Sequence, residues 1–401
     1  MKFLITGAEM GNKGAQSMFF ISISELRDRF YDCEIFYGAW DNYDVSNLRV
    51  HRLSISLVSL NMIFKRMSIT RLIIRIIKDF VKLVVGKSDD FLHYNDLKKV
   101  MPEIDAIIDV SGFLMGKKWS IDAQERWLDY IRLAKQYNIP IYYMPQSFGP
   151  FGYDKEEKYA QLYRDMKDLM PYASVIFARE DEGELALKEE FSLKNVVRSE
   201  DLVLQNKAIK LENVFKNVPQ ISVPELPSKK CVGIVPNQQC FNYGNINKII
   251  ELYRQIIIKL VSDGYDVVIF HHSKDDQKIC VMLKNIFPNE RVYLEKKEFS
   301  CIEYDTYVRK FDFIICSRFH GLVHAYRNGV PGIALGWAIK YNELTQLMDQ
   351  VGYSFNITED IKINDVLESI EKMENNFEVE KKRIKKRIQQ IQQNNCFDVI
   401  H

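Results

Sequence analysis

Short β-rich runs alternate with amphipathic helical stretches along most of this chain, and that alternation constrains the fold more than any other feature. A strand that returns parallel to its predecessor needs a crossover of about a dozen residues, which the helical stretches supply. In the first half, strands are predicted at 2–6, 33–38, 104–110, 139–144 and 174–178, with helices near 15–29, 68–85, 120–138, 155–170 and 181–190. The second half repeats the theme, with strands at 231–235, 266–271, 291–294, 312–316 and 332–335. Its helices fall near 245–263, 275–286, 300–310, 319–328 and 341–350. The expected class is α/β, as two open parallel sheets in tandem whose carboxyl ends face one cleft. Ligands of such sheets bind at those ends, so informative residues should directly follow strands.

The stretch 206–230 carries Pro219, Pro224 and Pro227 without a helical or strand period. Prolines so spaced cannot continue a helix or a central strand, which makes this the expected linker between domains at 1–205 and 231–360. The remainder, 361–401, reads as a charged helical tail with a basic face (Lys381, Lys382, Arg383, Lys385, Lys386, Arg387) and an apolar stripe of Ile384, Ile388 and Ile391. Hydrophobic residues make up 47% and charged residues 27% of the 401, which excludes a disordered or fibrous chain. Lys and Arg number 55 against 54 Asp and Glu, too balanced for a dedicated nucleic-acid binder. The seven cysteines are scattered and show no CxxC pair, so they are expected to be reduced thiols of a cytoplasmic protein rather than metal ligands. The amino terminus has only a short apolar run, read as a first strand rather than a signal peptide. No window has the length and apolarity of a membrane span.

Several loops after predicted strands carry chemistry-bearing residues. Gly7, Gly11 and Gly14 follow the first strand and open a helix. They make either a tight strand–helix turn or a loop whose amides approach an anion. Asp109-Val-Ser111-Gly112 follows the third, with Asp109 either an available carboxylate or the cap of the next turn. Pro145-Gln146-Ser147-Phe148-Gly149-Pro150 and Arg179-Glu180 follow the next two. The densest run is Ser317-Arg318-Phe319-His320-Gly321, delivered by a buried strand onto a helix start. Free amides, an Arg fork, a hydroxyl and an imidazole suit a phosphate or carboxylate. His324, one turn beyond His320, is expected to pack or support. His271-His272 with Asp275 and Asp276 reads as another cleft-facing loop with an Asp cap.

These elements, taken in order with Val232-Gly-Ile-Val-Pro-Asn237 and Gly329 through Tyr341, resemble the polysaccharide pyruvyl transferase family over most of residues 1–350. The resemblance implies a glycosyltransferase-B-like fold of two Rossmann-like domains. It also implies transfer of pyruvate from phosphoenolpyruvate to a sugar of a surface polysaccharide or its lipid-linked precursor, forming a ketal and releasing phosphate. On that basis His320 is expected as general acid and Asp109 as base or acceptor-orienting group, with Arg179, Arg318 and Ser317 binding the donor. Phosphoenolpyruvate is then a co-substrate, and no cofactor or metal is expected. Lys340 is either a cleft lysine or a solvated helix start. The segment 68–85 places Arg71, Arg75, Lys78 and Lys82 on one stripe of an apolar helix. That pattern fits either peripheral membrane contact or a buried helix with one solvated face. The competing functions are a nucleotide-sugar glycosyltransferase of the same architecture and a non-catalytic glycan-binding relative.

Overall fold

The computed structural model describes residues 1–39, 43–55, 96–337, 340–359 and 361–401, together with Leu60 and Ile77. Apart from Ile77, the basic segment 68–85 lies outside the described residues. The chain forms two wholly parallel sheets. The first has the strand order β3-β2-β1-β4-β5-β6-β7. Its strands are β1 (Lys2–Thr6), β2 (Glu34–Ala39), β3 (His51–Ser54), β4 (Ala106–Asp109), β5 (Ile141–Gln146), β6 (Val175–Ala178) and β7 (Val196–Arg198). The second runs β10-β9-β8-β11-β12-β13. It is built from β8 (Cys231–Val235), β9 (Asp266–Ile269), β10 (Val292–Leu294), β11 (Phe313–Cys316), β12 (Gly332–Gly336) and β13 (Ser354–Asn356). In each sheet the strand order reverses once, between β1 and β4 and between β8 and β11. Loops diverge at such a reversal and leave a crevice.

The central strands are apolar on both faces because helices cover both. Phe3 and Ile5 of β1 enter one core while Leu4 enters the opposite one. Ile314 of β11 likewise faces one core and Phe313 and Ile315 another. The first of these cores is shared by the two domains. Its centre is the helix Lys13–Arg29, buried on nearly every side, whose Phe19, Phe20 and Ile23 join Tyr304, Leu322 and Tyr326 of the second domain. Polar contacts cross the same seam: the Cys301 amide donates to Gln16 Oε1 at 2.6 Å, and Lys13 pairs with Glu298.

The carboxyl-terminal helix Ile363–Ile391 spans the domains. Val366, Ile370 and Met373 pack in the second domain, whereas Ile384, Ile388 and Ile391 enter the shared core with Phe397 and Ile400. Beyond it, Asp398 pairs with Arg29 at 2.7 Å and the Cys396 amide donates to Gln205 at 2.9 Å. The tail is thus a clasp returning to the first domain. The strands absent from the expected set, β3, β7 and β13, lie at sheet edges, where partial solvation permits His51, Arg52, Arg198 and Asn356 and blurs the apolar signal. All seven cysteines are buried and unpaired. Among the described residues no helix is long and apolar enough to cross a membrane.

Candidate active site

A cavity of about 390 Å³ opens where the two strand-order reversals face each other, lined from the first domain by Asn12, Ser111 and Arg179 and from the second by His272, Arg318 and His320. The loop after β1 delivers Asn12, whose side chain accepts the Gly14 amide at 2.9 Å and starts the Lys13–Arg29 helix. Gly14 is there for contact: a Cβ on it would lie 2.2 Å from the His320 ring, so the imidazole rests on bare backbone. Gly7 has φ +72°, and a Cβ there would stand 2.1 Å from Ser111 Oγ. The two glycines let the second-domain histidine and the β4 loop close over the helix start.

The cations are held from behind. Arg318 donates through Nε and Nη2 to both carboxylate oxygens of the fully buried Asp276, each at 2.6 Å. Asp276 also accepts the Gln238 amide at 2.9 Å. Arg179 donates to Asp201 at 2.8 Å, to Glu180 at 3.1 Å and to Ser147 Oγ at 2.6 Å, with its guanidinium 4.6 Å from the Phe319 ring centre. A guanidinium has five N–H donors, so each arginine is oriented without being exhausted. Lys340 stands at the start of the helix Lys340–Leu347 with its ammonium over the rings of Phe319, Phe113 and Trp337 at 5.0, 5.3 and 5.8 Å. Burial, reinforced by Arg179, lowers its pKa to about 8. Lys118 lines the same wall, 4.2 Å from the Trp337 ring, and burial lowers its pKa as well.

His320 Nε2 lies 3.4 Å from Asp201 Oδ2 without the alignment of a hydrogen bond. Burial pushes the imidazole below its ordinary pKa, and the attraction of Asp201 offsets this only in part. For Asp201 the balance is reversed. Burial works to raise its carboxyl, and the contacts with His320 and Arg179 outweigh that and hold it well below its usual value. His272 is fully buried and, among the described residues, has no hydrogen bond on either ring nitrogen; burial, with its cationic neighbours, holds it far below its ordinary value. Ser111 Oγ is likewise buried without a hydrogen-bond partner among the described residues. Among the described residues no side-chain hydrogen bond caps the helix Phe319–Arg327 at Arg318, so its first-turn amides and positive dipole end add to the cavity's attraction for anions.

Of the residues expected from sequence, Arg179, Arg318 and His320 line one cavity. Asp109 and Ser317 do not. Asp109 is fully buried and accepts from Thr6 Oγ1 and Gln146 Nε2, each at 2.8 Å, and from the Ser111 amide at 3.0 Å. Its pKa is raised by burial. The carboxylate thus ties the ends of β1, β4 and β5 together and faces away from the cavity it was expected to serve. Ser317 turns its hydroxyl to Tyr253, 2.7 Å away in the second-domain core. At the second site the switch is between consecutive residues, Ser317 turned into the core and Arg318 into the cavity; at the first, Ser111, two residues beyond Asp109 and past the end of β4, lines the cavity. His324 packs as expected, with Nδ1 2.7 Å from Asp305 and Nε2 3.3 Å from Ser17 Oγ. Asp201 went unnoticed because it follows β7, an edge strand too short to be seen. Among the described residues no group of three or more His, Cys, Asp or Glu is placed to hold a metal ion.

The family model for polysaccharide pyruvyl transferase matches residues 12–338. The chain belongs to the polysaccharide pyruvyl transferase family. It is therefore a transferase of polysaccharide modification, and most of the cavity's lining lies within the matched region, with Lys340 just beyond its end. No individual curated protein matches it significantly. Solved structures similar to this transferase share its fold at low identity. The UDP-GlcNAc 2-epimerase from Neisseria meningitidis bound to UDP-GlcNAc is 13% identical with a TM-score of 0.52, over 96% of this chain and 94% of that one. A TarM variant of S. aureus in complex with Fondaparinux, alpha-GlcNAc-glycerol and UDP is 11% identical with a TM-score of 0.54, over 99% and 97%. These likenesses establish the two-domain glycosyltransferase-B-type architecture.

Proposed function

We propose that this protein transfers pyruvate from phosphoenolpyruvate onto two hydroxyls of one sugar, forming a cyclic ketal and releasing phosphate. The observation that carries this reading is the cavity itself: Arg179, Arg318, Lys118 and Lys340 converge with His320 on one hollow, beside an uncapped helix start. A donor bearing both a phosphate and a carboxylate needs several fixed cations, and arginine suits both groups.

The chemistry needs a proton on C3 of the enol, which leaves positive charge at C2 shared with its oxygen. One sugar hydroxyl then bonds to C2 and loses its proton, the C2–O bond to phosphate breaks, and the second hydroxyl closes the ring. Of the two hydroxyl protons displaced, one replaces that spent on C3 and the other leaves with phosphate. His320 is the proton donor in this reading. Its depressed pKa keeps it mostly neutral until a donor dianion enters, whose charge favours the imidazolium and so loads the proton when it is needed. Arg179 and Arg318 come from opposite domains and hold the donor across the cleft. Asp109 acts through the loop it fixes, as a positioning residue for Ser111. The acceptor would belong to a surface polysaccharide or its lipid-linked precursor and be met in the cytoplasm.

The deciding experiment is phosphate release from phosphoenolpyruvate over a panel of sugar acceptors, with product masses measured. A mass gain matching a pyruvate ketal is the expected result. Glycosyl transfer from a nucleotide sugar, without phosphate release from phosphoenolpyruvate, would sink the reading.

A further inference from the structure

Beside the anion cavity lies a second hollow of about 320 Å³, and the two share Phe113, Lys118, Trp337 and Lys340 in their walls. Its chemistry differs. Phe148 joins Phe113 and Trp337 as apolar wall, and Glu180, Glu182, Glu343 and Glu359 supply carboxylates, with Asn356 an amide. Glu180 is buried and immobilised by Ser147 Oγ at 2.7 Å and Arg179 Nε at 3.1 Å. Glu343 is half-buried and accepts the Asp181 amide at 3.3 Å, which ties the two domains across the hollow. In the shared wall the Trp337 indole Nε1 is buried and has no hydrogen-bond partner among the described residues. A buried indole N–H usually finds an acceptor.

A pyranose ring presents apolar C–H faces and a rim of hydroxyls that both donate and accept. Aromatic walls match the faces, carboxylates and an amide match the donors, and a ring oxygen or hydroxyl would satisfy the indole. A phosphate or a carboxylate would instead meet four glutamates against the two lysines of the shared wall, Lys118 and Lys340. We infer that this hollow is the acceptor subsite and that it selects an uncharged hexopyranose over a uronic acid. The inference rests on the donor reading of the adjoining cavity, since only the shared wall brings ring hydroxyls up to an activated carbon. Like charges held at a binding surface reject a wrong ligand as effectively as good contacts select the right one.

The test measures binding by the full chain, without phosphoenolpyruvate, of p-nitrophenyl β-galactoside, β-glucoside and β-glucuronide. At least one neutral glycoside should bind about tenfold more tightly than the glucuronide. The double variant Glu182→Gln/Glu343→Gln, which keeps side-chain volume, should narrow that gap to about threefold or less, and Trp337→Ala should weaken the neutral glycosides by about tenfold. Equal binding of the glucuronide, or a preference untouched by neutralising the two glutamates, would overturn the inference. Phosphate release from phosphoenolpyruvate is followed in parallel. Turnover without preference for neutral sugars defeats the subsite and spares the donor reading. Selective glycoside binding without turnover on any acceptor does the reverse.

Discussion

The two hollows share a wall and differ in how their charges are held. In the anion cavity the arginines are braced by buried carboxylates on the far side, Arg318 by Asp276 and Arg179 by Asp201. In the neighbouring hollow Glu182 and Glu359 are exposed and face solvent. Bracing fixes charges before the ligand arrives, which matters most where charge develops during a reaction. Solvated carboxylates can adjust to hydroxyls of varied geometry. On the proposed reading the braced cations serve the chemistry and the solvated pair, Glu182 and Glu359, serves recognition, with Glu180 held at the border between them. Substitutions on the two sides should therefore fail in different ways.

The largest effects belong to the braced side. His320→Ala should lower transfer by about 10²–10⁴ while leaving neutral-glycoside binding in place. Single-turnover phosphate release and glycoside titration on the same preparation check both halves, and near-normal turnover would remove His320 from the chemistry. Arg318→Ala should also abolish transfer, with a second consequence that sequence reasoning does not anticipate. Asp276 is fully buried, and removing its bidentate partner strands a carboxylate, at a cost of about 3–5 kcal/mol. Denaturant unfolding should show that loss for Arg318→Ala and its substantial recovery in Arg318→Met/Asp276→Asn, which should remain inactive. Stability unchanged by Arg318→Ala would contradict the bracing.

Gly14→Ala is the next step down. The new methyl would occupy the place of the His320 ring, at 2.2 Å from its nearest carbon, so the imidazole must move. Displacement of a reacting group by about 1 Å can cost on the order of 10² in rate. The expected signature is a fall in kcat for transfer with little change in glycoside affinity. A normal kcat would show that His320 does not work from this position.

How much of this could be read from sequence follows from strand geometry. The interior strands announced themselves, since β1, β4, β8 and β11 are buried on both faces and their apolar runs are continuous. Residues just past β1, β4, β8 and β11 (Asn12, Ser111, Asn237 and Arg318) line the cavity. Sequence does not say which of Ser317 and Arg318 turns inward, nor that Ser111, two residues past Asp109, is the one that lines the cavity. Asp201 and Glu343 act on partners far away in the chain, and no local pattern marks such pairing. The helix Lys13–Arg29 serves as the domain seam because it is buried almost all round, a property that a search for amphipathic faces passes over.

Lys340 offers the smallest effect and a fine discrimination, because it stands in the wall common to both hollows. Its pKa is lowered to about 8, principally by burial. Below that pH it is a cation and attracts the donor; as pH rises through about 8 the charge is lost, and donor affinity should fall with it. By linkage, a bound anion raises the Lys340 pKa, so donor binding near this pH should take up protons. A neutral sugar gains nothing from that charge, so its binding should stay flat over the same range. Lys340→Arg, charged at every accessible pH, should flatten the alkaline limb of donor affinity. The measurements are titrations with phosphoenolpyruvate and with p-nitrophenyl β-galactoside from pH 7 to about pH 9.5, in buffers of different ionisation enthalpy to count protons. Parallel pH dependence for the two ligands would mean that the hollows do not differ in the charge they recognise. Divergence confined to the donor, and removed by Lys340→Arg, would place the division of labour at this one side chain.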